Sequence, residues 1–479
     1  MALFIGIDLG TTSITTLALG DGAEPVAAVR SVSNDTRLLQ PQILSGVPER
    51  FEWDAEGIAQ RAENCLRLLV EDLGPRASGV AALGVTGQQH GVVLVDSRLR
   101  PLTPFINWQD RRGDEQIAGG GTWLSEAQRR LGADAWRRAG CLLATGHLGL
   151  TLFWLQENTA LPPHGTACSI MDFVTARLTG AQPITEPTCA AASGLLNLAG
   201  RCWDRASIDA LGLRAKMFPE LREAGQQVGR LETEVAARVG LAAGIPVAAP
   251  LGDQQAGFVG SVTDRVRCGH LNVGTGAQLG SFVEGVDFEL PLELRPFPMA
   301  GNLLTGAVLC GGWSYQVLEQ FFRRVGRDVL DVPAETKVYQ RLNELAASVP
   351  QGAEGLRCEP LFAGTRVDPA RRGVLSGMTA GNFTPAHLAR ALLEGMAREY
   401  AEQLVVVEAQ AGRKVQQLAA TGNALRENRL LCEMVSQQTG LPLVIPRHRE
   451  EAAFGAALLA AISVGRFAGL DVAGEMIQY

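Results

Sequence analysis

Residues 247–257, VAAPLGDQQAG, are the stretch from which the fold of this chain can be read. An apolar run climbs to Gly252, delivers one carboxylate, Asp253, and continues through Gln254 and Gln255 into small residues. A short apolar run ending in glycine reads as a buried strand turning into a helix. In an open α/β sheet, ligands bind outside the ends of such strands. A carboxylate at that point can take a proton from a substrate hydroxyl, or hold a magnesium ion through water. It can equally cap the helix that follows. The stretch alone leaves these open.

Working outward, the N-terminus shows an apolar run over 3–7, then Asp8, then Gly10-Thr11-Thr12, then a second apolar run over 14–19. Two strands joined by a Gly-Thr turn make a hairpin whose tip offers bare amides and hydroxyls. Such a tip can cradle phosphate, with Asp8 beside it for a metal, or it is an ordinary polar turn. The second half carries the same pattern. Residues 269–273 read as a strand, Gly274-Thr275-Gly276 as a turn and 277–283 as a returning strand. In the first half a helix led by Asp54 precedes a strand at 80–85 ending in Thr86-Gly87-Gln88. In the second, a long helix at 385–411 precedes a strand at 415–420 ending in Thr421-Gly422-Asn423. The order repeats although the letters do not, which predicts a duplicated α/β unit. Two lobes with matched Gly-Thr tips predict a cleft holding a nucleotide.

Polar clusters stand at the ends of two neighbouring apolar runs: Gln88-Gln89-His90-Gly91 and Asn107-Trp108-Gln109-Asp110-Arg111-Arg112. Together they can grip a small polyol. His90, on a glycine-flanked loop, reads as structural or functional. Trp108 and Trp154 can offer flat faces to a carbon chain or can belong to the core. Ala190 to Gly194 reads as a small-residue loop, and Glu451 to Ala457 as a helix start packing closely on the nucleotide lobe.

At 479 residues the chain calls for two or more domains. An apolar fraction of 46% with 19% charged residues describes a folded globular protein. A net charge of -7 favours neither nucleic acid nor an anionic membrane. Nine scattered cysteines form no metal-ligand spacing and read as buried small hydrophobes of a reducing compartment. The N-terminus runs straight into a strand without a basic leader, and no apolar run is long enough to span a membrane. The expectation is a soluble cytoplasmic protein.

Taken together, Ile5 to Thr12, Thr86 to Gly91, Leu251 to Gln255, Asn272 to Gly276, Thr421 to Leu425 and Glu451 to Ala457 resemble the motifs of the FGGY carbohydrate kinases. They come in family order and cover nearly the whole chain. The resemblance implies an α/β fold of two ribonuclease-H-like, actin-like lobes with the active site in the interlobe cleft. It divides the chain into a sugar-binding lobe, 1–248, and a nucleotide-binding lobe, 249–479. It implies transfer of the ATP γ-phosphoryl group to a sugar hydroxyl with Mg2+, with Asp253 as general base and Asp8 and Asp253 organising the metal. Thr11, Thr12, Gly274 and Thr275 fall on the phosphate loops, Gly422 and Asn423 on the adenosine side. Gln89, His90, Asp110 and Asp253 fall on the sugar.

The Gln-Arg-Glu-Thr loop of glycerol kinases is absent. Gln88-Gln89-His90-Gly91 is closer to the Gln-Met-His-Gly of the xylulose and sedoheptulose kinases, with Gln89 in place of Met. Trp108-Gln109-Asp110, Thr145-Gly146-His147 and Met171-Asp172-Phe173 are similar to the sedoheptulose kinases, whereas Arg111-Arg112 is similar to glycerol kinase. The expected reaction is therefore sedoheptulose to its 7-phosphate, in a possible homodimer. Xylulose, another ketose or a polyol is the alternative acceptor. From other classes, an actin-like ATP-driven chaperone or a silent sugar sensor also fits the fold, although the intact Asp8 and Asp253 and the polar loops speak for a kinase.

Overall fold

The structure is a computed structural model that describes residues 2–20, 22, 24–39, 49–331, 337–365, 368 and 370–479. Strands β1 (Leu3–Leu9) and β2 (Ser13–Gly20) form the expected hairpin, in register from Leu3 opposite Gly20 to Leu9 opposite Ile14. β3 (Val26–Ser33) adds to its outer edge. Helix α1 (Ala55–Leu73) follows, with Asp54 accepting from the Glu56 N–H and Ile58, Ala62, Cys65, Leu66, Leu69 and Leu73 buried along one face. β4 (Val80–Gly87) then lies parallel to β1. A long insertion with a core of its own follows, built around Phe153, Leu150 and Leu195. It carries helix 148–157 and leads through the short α2 (Pro187–Ala191). The chain returns to the sheet as β5 (Gln227–Arg230), β6 (Pro246–Ala248) and β7 (Leu251–Gly252), which delivers α3 (Asp253–Val259).

Among the described residues this gives a seven-stranded sheet ordered β5-β6-β4-β1-β2-β3, with β7 also paired to β4. Two local expectations are corrected. The apolar run into Asp253 is two short strands rather than one, broken at Ala249-Pro250, where proline supplies no N–H to a ladder. The small-residue loop begins as the last turn of α2, whose start is set by Glu186 accepting from the Thr188 N–H.

The second unit repeats the plan. Its strands are β8 (Cys268–Val273), β9 (Ala277–Val283), β10 (Glu293–Pro296) and β11 (Asn302–Val308). Helix α4 (Pro385–Ala411) matches the expected bounds, with Thr384 capping its N-terminus, Pro385 in its first turn and Gly412 left-handed at its end. Strands β12 (Gln417–Thr421) and β13 (Leu443–Val444) complete a six-stranded sheet, β10-β11-β9-β8-β12-β13. Three antiparallel strands precede the helix in the first sheet and four precede α4 in the second, and in each the strand after the helix lies parallel to the first. The registers correspond as well. Asp8 lies opposite Thr86 and Asn272 opposite Thr421, so each unit sets a Thr-Gly strand end beside a hairpin tip.

The last long helix, α5 (Glu451–Ser463), corrects another expectation. It packs on the first sheet, against β1 and β4, and on α3, rather than on the nucleotide lobe alone. The approach is backbone to backbone. A Cβ on Gly6 would lie 1.8 Å from the Ala453 carbonyl oxygen, and one on Gly84 2.3 Å from that of Ala456. Phe4 and Ala82 of the first sheet, Phe282 and Ala419 of the second, and Phe258, Phe454 and Leu458 between them form one continuous cluster. The two helices are thus a shared middle layer. The boundary expected between 248 and 249 falls between β6 and β7, both strands of the first sheet.

Candidate active site

A cleft of about 660 Å3 opens where the first sheet, the second sheet and the middle helices meet. Asp253 lines it. As the first residue of α3 it follows Gly252, and the helix start has no side-chain cap, so Asp253 is not the N-cap that the sequence also allowed. Its carboxylate accepts the Gln254 N–H at 2.8 Å. Burial pushes this carboxyl up to about 6, against hydrogen bonds from the Gln254 and Gln89 backbone that favour the anion. Asp8, near the end of β1, lines the same cleft. Burial, and then repulsion from Asp253, Glu450 and Glu451, raises Asp8 to about 7.

The hairpin tip is tied down by Asn34, whose side-chain amide donates to the Gly10 carbonyl and whose N–H donates to that of Thr12. Thr11 donates to Gln88 Oε1 at 3.2 Å and accepts the Trp108 indole N–H at 3.1 Å. This resolves the two readings of Trp108. It is 45% exposed at the cleft, whereas Trp154 packs beneath Arg50 and Arg112 and donates to Glu115. Gln88 is buried behind them, its Oε1 also accepting from Asn107, while its Nε2 has no partner among the described residues.

Gln89 and His90 also line the cleft. The Gln89 amide donates to Gln255 Oε1 at 2.7 Å and lies so close to Gly252 that a Cβ there would sit 1.8 Å from its nitrogen. His90 adopts a left-handed backbone at φ 68°, pairs through Nδ1 with the Ala192 carbonyl at 2.7 Å and stacks on His147, ring centres 4.4 Å apart.

Asp110 is a correction: it does not line the cleft. It is fully buried, accepting from the Phe51 and Arg112 N–H groups and pairing with the Arg112 guanidinium at 2.6 Å. Its carboxylate is committed to fixing the loop that carries Trp108. Thr12, Gly274, Thr275, Gly422 and Asn423 also stand outside the lining, each within three residues of a residue that belongs to it: Thr11, Asn272 or Thr421. The last two turns touch, since a Cβ on Gly422, at φ 88°, would lie 2.3 Å from the Val273 carbonyl.

Several lining residues escaped the sequence reading. His270 pairs with Thr421 Oγ1 at 2.9 Å, and burial lowers it to about 4. Arg295 and Glu293 pair on β10, inside the cleft. A charged pair alternating with apolar residues in Leu292 to Pro296 was the available signal. For His147 and His270 it was scarcity, since three of the six histidines line this cleft.

Among the described residues no group of three or more acidic, histidine or cysteine side chains forms a ready metal cage. Two hard carboxylates in one cleft, Asp253 raising the proton affinity of Asp8, nonetheless suit Mg2+, which takes one or two protein carboxylates and completes its shell with water and phosphate oxygens.

Two duplicated α/β lobes around a cleft that carries two carboxylates define a protein of the actin-like fold. The comparisons agree. The FGGY family of carbohydrate kinases matches through its N-terminal domain over residues 3–260 and its C-terminal domain over 296–464. The glycerol kinase of Trichlorobacter lovleyi is 30% identical, covering 97% of this chain and 90% of that protein. The glycerol kinase of Dechloromonas aromatica is likewise 30% identical, covering 96% and 89%. Among solved structures, xylulose kinase from Rhodospirillum rubrum superposes with a TM-score of 0.86 at 24% identity, covering 99% of this chain and 93% of that one. Plasmodium falciparum glycerol kinase with ADP gives 0.84 at 20% identity, covering 99% and 92%. The chain belongs to the FGGY family of carbohydrate kinases. It is an ATP-dependent phosphotransferase with an alcohol acceptor.

Proposed function

We propose that this kinase phosphorylates a terminal hydroxyl of a ketose, with sedoheptulose as acceptor and Asp253 as general base. The observation that carries the reading is that Asp253 shares one cleft with Gln89, His90, Asp8 and Thr11, within reach of the Gln89 backbone and with its field felt at Asp8. An alcohol barely ionises near neutral pH, so a carboxylate raised to about 6 is suited to accept its proton as the oxygen attacks the γ-phosphorus. The O–P bond forms, the bond to the leaving ADP oxygen breaks, and the proton passes to an Asp253 oxygen. Gln89 and His90 hold the sugar, with Trp108 as a flat wall. The amides and hydroxyls of Thr11, Thr12, Gly274 and Thr275 offset phosphate charge, and Gly422 and Asn423 let the adenosine approach. Asp8 and Asp253 would hold Mg2+, which when bound supplies charge neutralisation at the phosphates. The lobe division at 248/249, a homodimer and action in the cytoplasm belong to the same reading.

The ketose assignment is supported by His90. It projects into the cleft from the Gln88-Gln89-His90-Gly91 loop, where glycerol kinases carry Gln-Arg-Glu-Thr. A second reading, glycerol or another small polyol, is favoured by the 30% identity to glycerol kinases over nearly the full chain. The test is kcat/KM with Mg-ATP across sedoheptulose, D-xylulose, D-ribulose, L-ribulose and glycerol. Highest efficiency on sedoheptulose upholds the proposal. Highest efficiency on glycerol overturns the ketose assignment, and ATP turnover independent of every acceptor overturns the choice of acceptor altogether.

A further inference from the structure

Outside the groups assigned above, the cleft rests on one short segment, Glu186 to Ser193. Its polar atoms reach separate parts of the site. Thr188 Oγ1 accepts the Gly252 N–H at 2.9 Å, immediately before Asp253. The Thr188 carbonyl accepts the Gln89 amide at 3.4 Å. The Ala191 carbonyl accepts the Arg295 guanidinium at 2.9 Å, and that of Ala192 pairs with His90 Nδ1 at 2.7 Å. The Ser193 carbonyl accepts the Gly149 N–H at 3.0 Å, two residues after His147. Glu186 and Thr188 are both fully buried, and Glu186 fixes the platform by accepting the Thr188 N–H at 2.6 Å.

We propose that Thr188, held by Glu186, is a positioning residue for the phosphoryl-transfer reaction, setting the place of Asp253 through the Gly252 amide. The inference rests on the reading of Asp253 as general base. The physical argument is local. Gly252 joins a two-residue strand to α3 and has no side chain to wedge it in place. Its amide bond to Thr188 is therefore a direct restraint on where the next residue presents its carboxylate. Rates of proton and phosphoryl transfer fall steeply with misplacement, by about a hundredfold for a shift near 1 Å. Burial raises Glu186 to about 8, so it works as a neutral acid whose carbonyl oxygen serves as acceptor, a role an amide can also fill.

The test compares Thr188→Val, which keeps the shape but removes the acceptor, with Thr188→Ser, which keeps the acceptor. Thr188→Val is expected to lower kcat by about tenfold to a hundredfold, with the KM for ATP within about twofold of the parent. Thr188→Ser should recover most of that loss, and Glu186→Gln should cost far less than Glu186→Leu. Because Thr188 acts through Asp253, the Thr188→Val loss should nearly vanish in an Asp253→Asn background, which a general packing defect would not produce. If Thr188→Val does not fold, Thr188→Ala makes the same deletion with a smaller side chain. A Thr188→Val enzyme within twofold of the parent in kcat, beside an Asp253→Asn lowered by about 10²–10⁴-fold, overturns the inference and leaves the base reading standing. So does an equal loss in both backgrounds, or a Thr188→Ser as impaired as Thr188→Val. An active, folded Asp253→Asn overturns the base reading itself.

Discussion

In the proposed mechanism the chemistry turns on two carboxylates whose environments raise their proton affinity. Asp253 is raised to about 6 and Asp8 to about 7, so both are largely protonated well below neutrality in the free enzyme. A base works only when deprotonated. kcat/KM for the sugar should therefore lose activity on the acid side, falling about tenfold per pH unit below the range 6 to 7. A profile flat down to pH 5 would remove the base role from Asp253. Replacing that residue by Asn should lower kcat by about 10²–10⁴-fold while nucleotide binding, measured by calorimetry, stays close to the parent. His90→Ala should raise the KM for the acceptor by about tenfold, the loss of one polar contact and its stacking partner, and leave that for ATP in place. An effect confined to ATP would put His90 on the wrong side of the cleft.

At the scale of elements, close backbone approach explains why particular glycines stand where they do. α5 lies so near β1 that any side chain at position 6 meets the Ala453 carbonyl. Gly6→Ala should lower stability by about 1–3 kcal/mol or more, as overpacking does, and the midpoint of urea unfolding reads it directly. An unchanged midpoint would mean the helix can move away freely. Gly274 is the opposite case. A Cβ there meets nothing within 4 Å. Gly274→Val should therefore keep its unfolding midpoint and raise the KM for ATP, because only a ligand would feel the added carbons. Unchanged nucleotide affinity would make the second hairpin tip a plain turn.

For the molecule as a whole, the two lobes are not independent bodies joined by a hinge alone. The first sheet packs on α3 and α5, Phe258 of α3 meets His270 and Phe297 of the second unit, and one apolar cluster runs from the first sheet through both helices to the second. Removing residues 451–479 should therefore abolish the cooperative thermal transition of the entire chain rather than loosen its C-terminal half. A truncated chain that retained near-ultraviolet dichroism and a sharp melt would show that the first sheet does not need α5. The same layer brings Glu451 to the cleft, where it pairs with Arg426 and adds to the negative field on Asp8.

Much of this was legible in the chain itself, because it depended on short-range pattern. The two hairpins with Gly-Thr tips, the helix capped by Asp54 and the helix bounded by Thr384 and Gly412 follow from local periodicity, capping and turn chemistry. The repeated order of elements pointed to the duplicated fold, and motif order pointed to the family. Residue placement at long range was not legible. Asp110 stands in a polar loop that looks ready for a sugar, yet Arg112, two residues on, and the Phe51 amide, far earlier in the sequence, consume its carboxylate. Composition and pattern hint at Arg295, His147 and His270 but do not say where they go, Thr188 carries no such hint, and they meet only because strands from both units and the insertion converge on one cleft. Hydrophobic period and turn residues act over a few positions and so are written in the sequence. The partner that satisfies a buried polar group is chosen by packing, and that the tertiary structure alone decides.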